Sequence, residues 1–259
     1  MPAEPGGPPQ LTVQGRTATI TLQRPAHHNR LHREDLLALQ QHFAALGARP
    51  DLRVLVLTGA GSTFSSGFHL GEIAEHPGAA ATDPRLFEHT VDALAALPLP
   101  SIARLNGGVF GGATDLALAC DFRVGGPAVT LRMPAARLGL HYYPGGLRRA
   151  VARLGLATAK RLFLLAQTLD AATLHRLGWL DVLAEPDMLD EEVQRLAESL
   201  AAAAPLAVQG MKASLDEIAL GVAAPEVLRG REARCAASQD LREGLAATRE
   251  KRQAVFSGR

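Results

Sequence analysis

Cysteine is scarce: Cys120 and Cys235 are the only two in a chain of 259 residues. That excludes a disulfide framework and a cysteine-rich zinc site, and it fits a reducing compartment. Surplus charge is missing too. Lys plus Arg number 27 and Asp plus Glu number 26, a formal net charge of +1. A nucleic-acid partner calls for a basic excess, so none is expected. A small anionic ligand needs only a few local cations and stays open. The longest apolar stretches, near residues 93–99 and 201–208, are far too short to span a bilayer, so no membrane partner is expected. Residues 1–10 are rich in Pro and Gly and lack the basic and apolar regions of a signal peptide. They read as a flexible tail on a cytoplasmic protein. Aromatics with a polar handle are few. Tyr142 and Tyr143 are the only tyrosines, and the one tryptophan, Trp179, reads as a core or interface residue. Cys120 reads as a small buried residue.

Apolar residues make up 47% of the chain and charged residues 20%, which is the balance of a globular protein. Residues 11–22 alternate Thr, Val and Ile with polar residues and predict a β-hairpin. Helical spacing of Leu36, Leu37, Leu39, Phe43 and Leu46 predicts a helix over 34–46. The run VLVL at 54–57 reads as a strand covered on both faces, usually a parallel one. Further helices are predicted over 87–97 and 113–119, and strands over 101–105 and 129–132. From Leu147 the pattern is helical to the end, with breaks at Asp170, Pro186, Pro205 and Pro225. The expected class is α/β, with residues 11–200 as core and 201–259 as a C-terminal helical region.

Glycine-rich turns follow two of the strands: Gly59-Ala60-Gly61 with Ser66-Gly67-Phe68 after it, and Gly107-Gly108 with Gly111-Gly112 after it. Such junctions can aim unpaired backbone N–H groups at an anion. The spacing does not match a dinucleotide fingerprint, because the glycine after Gly59 and Gly61 is Gly67. No P-loop, no G-x-S-x-G elbow and no H-E-x-x-H motif occurs, and no metal cluster is expected.

Four segments in register carry a resemblance. LVLTGAGSTFSSGFHL (55–70), IARLNGGVFGGATDLALACDFRV (102–124), AKRLFLLAQTLDAATLHRLGWLDVL (159–183) and SQDLREGLAATREKRQAVFSGR (238–259) resemble the crotonase superfamily, the enoyl-CoA hydratases and isomerases. The resemblance implies a spiral of ββα units followed by helices that assemble trimers or paired trimers. It implies an acyl-CoA substrate, with coenzyme A carried as the thioester and no other cofactor. It places two oxyanion-hole N–H donors on Phe68 and Gly112, within turns that include Ser66, Gly67, Leu70 and Gly111.

At the acid/base positions the chain departs from that pattern. The first family glutamate falls on Asp115, whose reach is shorter by about 1.5 Å, one carbon–carbon bond. The second falls on Ala135, which transfers no proton, and ordinary two-carboxylate hydration is thereby in doubt. The loop His141-Tyr142-Tyr143 replaces the usual glycine-proline turn. In family branches such as methylmalonyl-CoA decarboxylase a tyrosine acts near Tyr142, and dienoyl-CoA isomerases hold a carboxylate where Tyr143 stands. Asp115, Tyr142 and Tyr143 are therefore the candidate catalytic residues. His69 replaces a family aspartate; it is a candidate substrate contact able to act as an acid, with a turn histidine as the plainer reading, and Ser66, Gly67, Leu70, Gly111, Ala135 and His141 are further candidate substrate contacts. Arg24 and His27 resemble adenine-side contacts, and Lys251 with Arg252 is placed to meet a CoA phosphate; a solvated charged face is the plainer reading of each. His89 is a candidate for the acyl pocket. The expected function is enoyl-CoA hydratase/isomerase-type chemistry on a thioester enolate. The alternatives are decarboxylation of a malonyl-type thioester, and a protein that binds acyl-CoA or a partner subunit without turnover.

Overall fold

A computed structural model describes residues 6–69, 71 and 85–259. The chain opens with an antiparallel pair, β1 (Gly7–Gln14) and β2 (Thr17–Gln23). The strand thus begins four residues before the expected start, and the expected tail of residues 1–10 fails over its last four. The reason is pairing: Gln10 lies opposite Thr21 and Gly7 opposite Gln23 across a register shift, so the proline-rich stretch finds a sheet edge, where Pro is tolerated. Helix α1 (Arg33–Gly47) buries Leu36, Leu39, Phe43 and Leu46 on one face, the periodicity expected of it.

Two sheets then grow together. The larger has the order β1-β2-β3-β5-β7-β10, and the smaller β4-β6-β8-β9. Strand β3 (Val54–Gly59) enters the large sheet and β4 (Thr63–Ser65) the small one. β5 (Ser101–Leu105) and β6 (Gly108–Phe110) repeat the step, as do β7 (Phe122–Gly125) and β8 (Thr130–Arg132). All pairs among β2, β3, β5 and β7, and among β4, β6 and β8, are parallel. Helix α2 (Leu86–Ala95) precedes β5, and α3 (Ala113–Ala119) links β6 to β7. Each turn of the spiral is therefore a ββα unit. The three-residue strands β4 and β6 are too short to show period-two alternation, and they went unread in the sequence.

The large sheet is covered on both faces. Leu55 and Leu57 of β3 point into the main core, while Val54 and Val56 face Val193 and Ala197 of α6 (Leu189–Ala202). That is why β3 is apolar at every position. α4 (Pro144–Leu165), with a break at Gly155, and α5 (Ala171–Arg176) precede α6; α7 (Pro205–Ala219), α8 (Pro225–Ala236) and α9 (Gln239–Glu250) follow it. The sequence pattern predicts helix from Leu147 to the end, but the second half is not wholly helical. Leu169–Asp170 (β9) and Val182–Leu183 (β10) close the two sheets, and residues 251–259 leave the helix. There the buried Asp240 carboxylate accepts the Ser257 and Gly258 N–H groups at 2.7 and 2.9 Å. Trp179 and Cys120 are fully buried, and burial pushes the Cys120 thiol up to about 12. Among the described residues no helix is long and apolar enough to cross a membrane.

The turn from β3 to β4 leaves no room at Gly59. A methyl there would stand 2.3 Å from the Phe64 carbonyl oxygen and 2.6 Å from that of Thr63. Gly59→Ala is expected to cost about 1–3 kcal/mol, as overpacking does. Urea unfolding of the two proteins checks it; an unchanged midpoint would show that this turn yields freely.

Candidate active site

Two glycine turns meet at the ends of β4 and β6. Leu31 pairs with Phe68 in an isolated parallel bridge, in which the Leu31 N–H donates to Gly67 O and the His69 N–H donates to Leu31 O. In a parallel bridge the central residue's own N–H points away from its partner, so the Phe68 N–H faces away from Leu31. Gly67 is held at φ +86 and its N–H donates to Ser65 Oγ at 3.0 Å. A methyl at Gly67 would lie 2.7 Å from the Gly112 nitrogen, which shows how closely the two turns approach. Gly111 takes φ +54 and donates to Arg132 O at 2.9 Å, which turns the chain into α3 with Gly112 as its N-cap. Phe87 from α2 closes over this junction: its Cζ stands 2.7 Å from where a Gly112 side chain would begin.

Asp115 sits in the first turn of α3, only 2% exposed. A buried carboxylate is costly unless paired, and here it is held from two sides. Arg149 of α4 donates from Nε to Oδ1 at 2.9 Å and from Nη2 to Oδ2 at 3.1 Å. The Tyr143 hydroxyl donates to Oδ2. Arg149 also reaches Asp92 of α2 at 3.1 Å. Burial opposes the Arg149 charge, yet the hydrogen bonds and charge of Asp115 outweigh it and hold the guanidinium above its ordinary value. The Tyr143 phenol is pushed far up, first by burial and then by the Asp115 charge.

Tyr142 stacks on Tyr143 with ring centroids 4.4 Å apart and packs beside Ala135 and Met133. Its hydroxyl is buried with no hydrogen-bond partner among the described residues, and burial, then the Asp115 charge, raises it well above 10. A row of rings, Phe68, Phe87, Tyr143 and Tyr142, runs from the glycine turns to Asp115 at successive centroid distances of 6.1, 6.0 and 4.4 Å. The loop makes room through Gly146, where a methyl would strike Tyr142 at 2.3 Å and Asp115 Oδ2 at 2.8 Å.

The structure thus brings together Phe68, Gly67, Gly111, Gly112, Asp115, Tyr142, Tyr143 and Ala135. Other expected site residues lie apart or are committed elsewhere. Arg24 is 5% exposed and ion-paired to Asp35 at 2.9 Å and to Glu34, so its guanidinium braces α1 and does not offer itself to a ligand. His27 and Ser66 are half-buried side by side, with Ser66 Oγ donating to His27 O at 3.4 Å. His69 rests against His32 at 4.8 Å. His89 and His141 are exposed, as is Lys251, which takes a left-handed C-cap conformation at the end of α9. Arg252 pairs with Glu243 and Glu250, the solvated face considered for this segment. Leu70 lies outside the described residues. Sequence reading missed Arg149, Phe87 and Asp92. The available signal was a buried acid at Asp115 with no cation near it in sequence. Among the described residues no group of three or more potential ligands could hold a metal ion.

The profile of the Enoyl-CoA hydratase/isomerase family matches residues 12–259. The chain is 32% identical to the 2,3-dehydroadipyl-CoA hydratase of Escherichia coli, over 96% of this chain and 98% of that one. It is 32% identical to the putative enoyl-CoA hydratase/isomerase YngF of Bacillus subtilis, over 93% and 94%. A solved structure of a putative enoyl-CoA hydratase from Streptomyces coelicolor superposes with a TM-score of 0.88 at 30% identity, covering 100% of this chain and 96% of that one.

Because Tyr142 and Tyr143 are the only tyrosines, their ionisation can be read directly. Both folded values stand above the unfolded value near 10. The folded state therefore keeps two phenol protons that the unfolded state loses, so this contribution is intact below pH 10 and is lost as pH rises beyond it. In an absorbance titration at 295 nm, no tyrosinate should form near pH 10 while the fold persists, and both should ionise together on alkaline unfolding. A normal titration of either ring in the folded protein would refute the geometry described.

Proposed function

The chain belongs to the enoyl-CoA hydratase/isomerase family, and on that footing we propose an acyl-CoA enzyme that forms a thioester enolate served by a single proton relay. The observation that carries this reading is the Tyr143 hydroxyl donating to Asp115, taken with the alanine at residue 135, the position that the resemblance assigns to a second acid/base group. The Phe68 and Gly112 N–H groups are assigned to the thioester oxygen, where negative charge develops. Preorganised main-chain donors need no reorganisation at that moment, and each is typically worth about 2.7–4 kcal/mol of barrier.

Tyr143 is half-buried and Asp115 lies behind it. A tyrosinate beside the Asp115 carboxylate is strongly disfavoured, so the phenol is not a free-standing acid. It serves as a relay: Tyr143 Oη accepts the proton leaving the substrate carbon as its own proton passes to Asp115 Oδ2. The electron pair of the broken C–H bond moves into the enolate, and the reverse steps return a proton to carbon. Arg149 stays charged throughout and fixes the carboxylate. One relay suffices to move a proton between carbons and shift a double bond. Hydration in the two-carboxylate manner needs a second group, and Ala135 cannot supply it.

Ala135 also favours a second reading, decarboxylation of a malonyl-type thioester, in which loss of carbon dioxide creates the enolate and the relay only returns a proton. Either reaction would proceed in the cytoplasm with no metal and no cofactor beyond the thioester. The test is a panel of 2-enoyl, 3-enoyl, saturated and methylmalonyl thioesters in heavy water, followed by mass. Deuterium uptake with isomer interconversion is expected. Tyr143→Phe and Asp115→Asn should each lower it by about 10²–10⁴-fold, the usual worth of a proton-transfer group. Carbon dioxide loss would select the second reading, net gain of water would overturn the single-relay scheme, and bound but unchanged thioesters would make the protein a binder.

We assign α4 and α9 to assembly as a trimer or a pair of trimers. Leu156, Leu164 and Leu165 on α4 and Leu245 on α9 are each more than half exposed, apolar side chains that a neighbouring copy would cover. Native mass spectrometry should show three or six copies of the 27.3 kDa chain; a monomer at micromolar concentration would refute this.

A further inference from the structure

Apart from the reaction site, a cavity of about 670 Å³ opens between α2, α4, α7 and α8. It lies in the size range of small-molecule pockets. Phe68, Gly112, Asp115 and Tyr143 are not among its lining residues, although Arg149 and its partner Asp92 form part of the wall. Its apolar surface comes from small and aliphatic side chains, among them Ala95, Leu97, Ala152, Ala213 and Leu220.

The charges around this surface are mostly settled. Arg231 holds Glu217 through two bonds of 2.6 and 2.7 Å. Arg153 lies 3.5 Å from Asp216, and Lys212 is 2.6 Å from Asp121. Arg149 is shared between Asp92 and Asp115. Two cations remain, Arg148 on α4 and Arg234 on α8, both exposed, with no carboxylate at ion-pair distance among the described residues. An aliphatic lining with two uncommitted guanidinium groups is a complement to one chemistry: an apolar chain ending in an anion that a planar fork can grip.

We infer that this cavity binds an aliphatic carboxylate, its chain against Ala95, Ala152, Ala213 and Leu220 and its head group between Arg148 and Arg234. A bare anion would leave the apolar surface wet, and an uncharged chain would leave both arginines unused.

Calorimetric titration of the full chain with octanoate, acetate, 1-octanol and inorganic phosphate tests this. Octanoate should bind saturably and at least ten-fold more tightly than the other three. The Arg148→Ala/Arg234→Ala double variant alters only exposed side chains, so its circular dichroism should be unchanged while octanoate affinity falls at least ten-fold. Ala213→Trp, which fills the cavity, should abolish binding. The inference is overturned by absence of saturable octanoate binding, by octanol or phosphate binding as tightly, or by affinity that survives the double variant. Competitive displacement of octanoate by free CoA would likewise overturn it, by placing the acid in the thioester site; that result would leave the proposed enolate chemistry untouched.

Discussion

A carboxylate that is 2% exposed has to be neutralised, and the way Asp115 is neutralised governs the reaction site. Arg149 reaches across from α4 to grip it from the side, and Tyr143 adds a third donor. Removing one partner of such a buried pair typically costs about 3–5 kcal/mol, because the survivor keeps its charge without compensation. The pair therefore ties α4 to α3 and fixes where residues 139–143, which lead into α4, must run. It also sets the chemistry. A carboxylate already holding three donors is a poor roaming base, but it is a good terminus for a proton handed along a hydrogen bond already formed.

Backbone without side chains is what lets these parts meet. Gly67 allows two turns from separate ββα units to approach until a single methyl would touch the Gly112 nitrogen. Gly146 does the same beneath Tyr142 and Asp115. The spiral supplies the repeated strand ends that bring the turns to one place, and the glycines set the distance of closest approach. A side chain at Gly67 would push the two turns apart, one at Gly112 would strike the Phe87 ring, and one at Gly146 would displace Tyr142 or Asp115.

Much of this was legible in the chain itself. The apolar VLVL run, the helix over Leu36–Leu46 by its spacing and the paired glycine turns all appear where their patterns place them, because each is a local signal. Asp115, Tyr142 and Tyr143 do converge. What stayed hidden is what depends on contact between distant segments. Arg149 lies 34 residues from Asp115 and reads as one of many arginines on an amphipathic helix. Arg24 reads as a free cation in a loop, yet α1 offers it Asp35 and Glu34 and takes it out of contention. Of the five strands of two or three residues only β8 is legible in the sequence; β4, β6, β9 and β10 carry no periodicity of their own and exist only through the neighbours they pair with.

Ala135 and the two tyrosines that follow it belong to one arrangement. Ala135, Met133 and Tyr142 form a small apolar cluster of their own, backed by Phe163. A glutamate in that cluster would be a second buried acid close to Asp115, with Arg149 already committed to both Asp115 and Asp92. Like charges so placed cannot both ionise cheaply. With alanine at 135 the region accepts an aromatic wall, and the wall carries the one hydroxyl that reaches Asp115. An alanine at 135, which offers no proton station of its own, thus leaves room for the phenol that the proposed relay uses. On the proposed reading, the aromatic loop therefore belongs with single-relay chemistry and not with two-carboxylate chemistry.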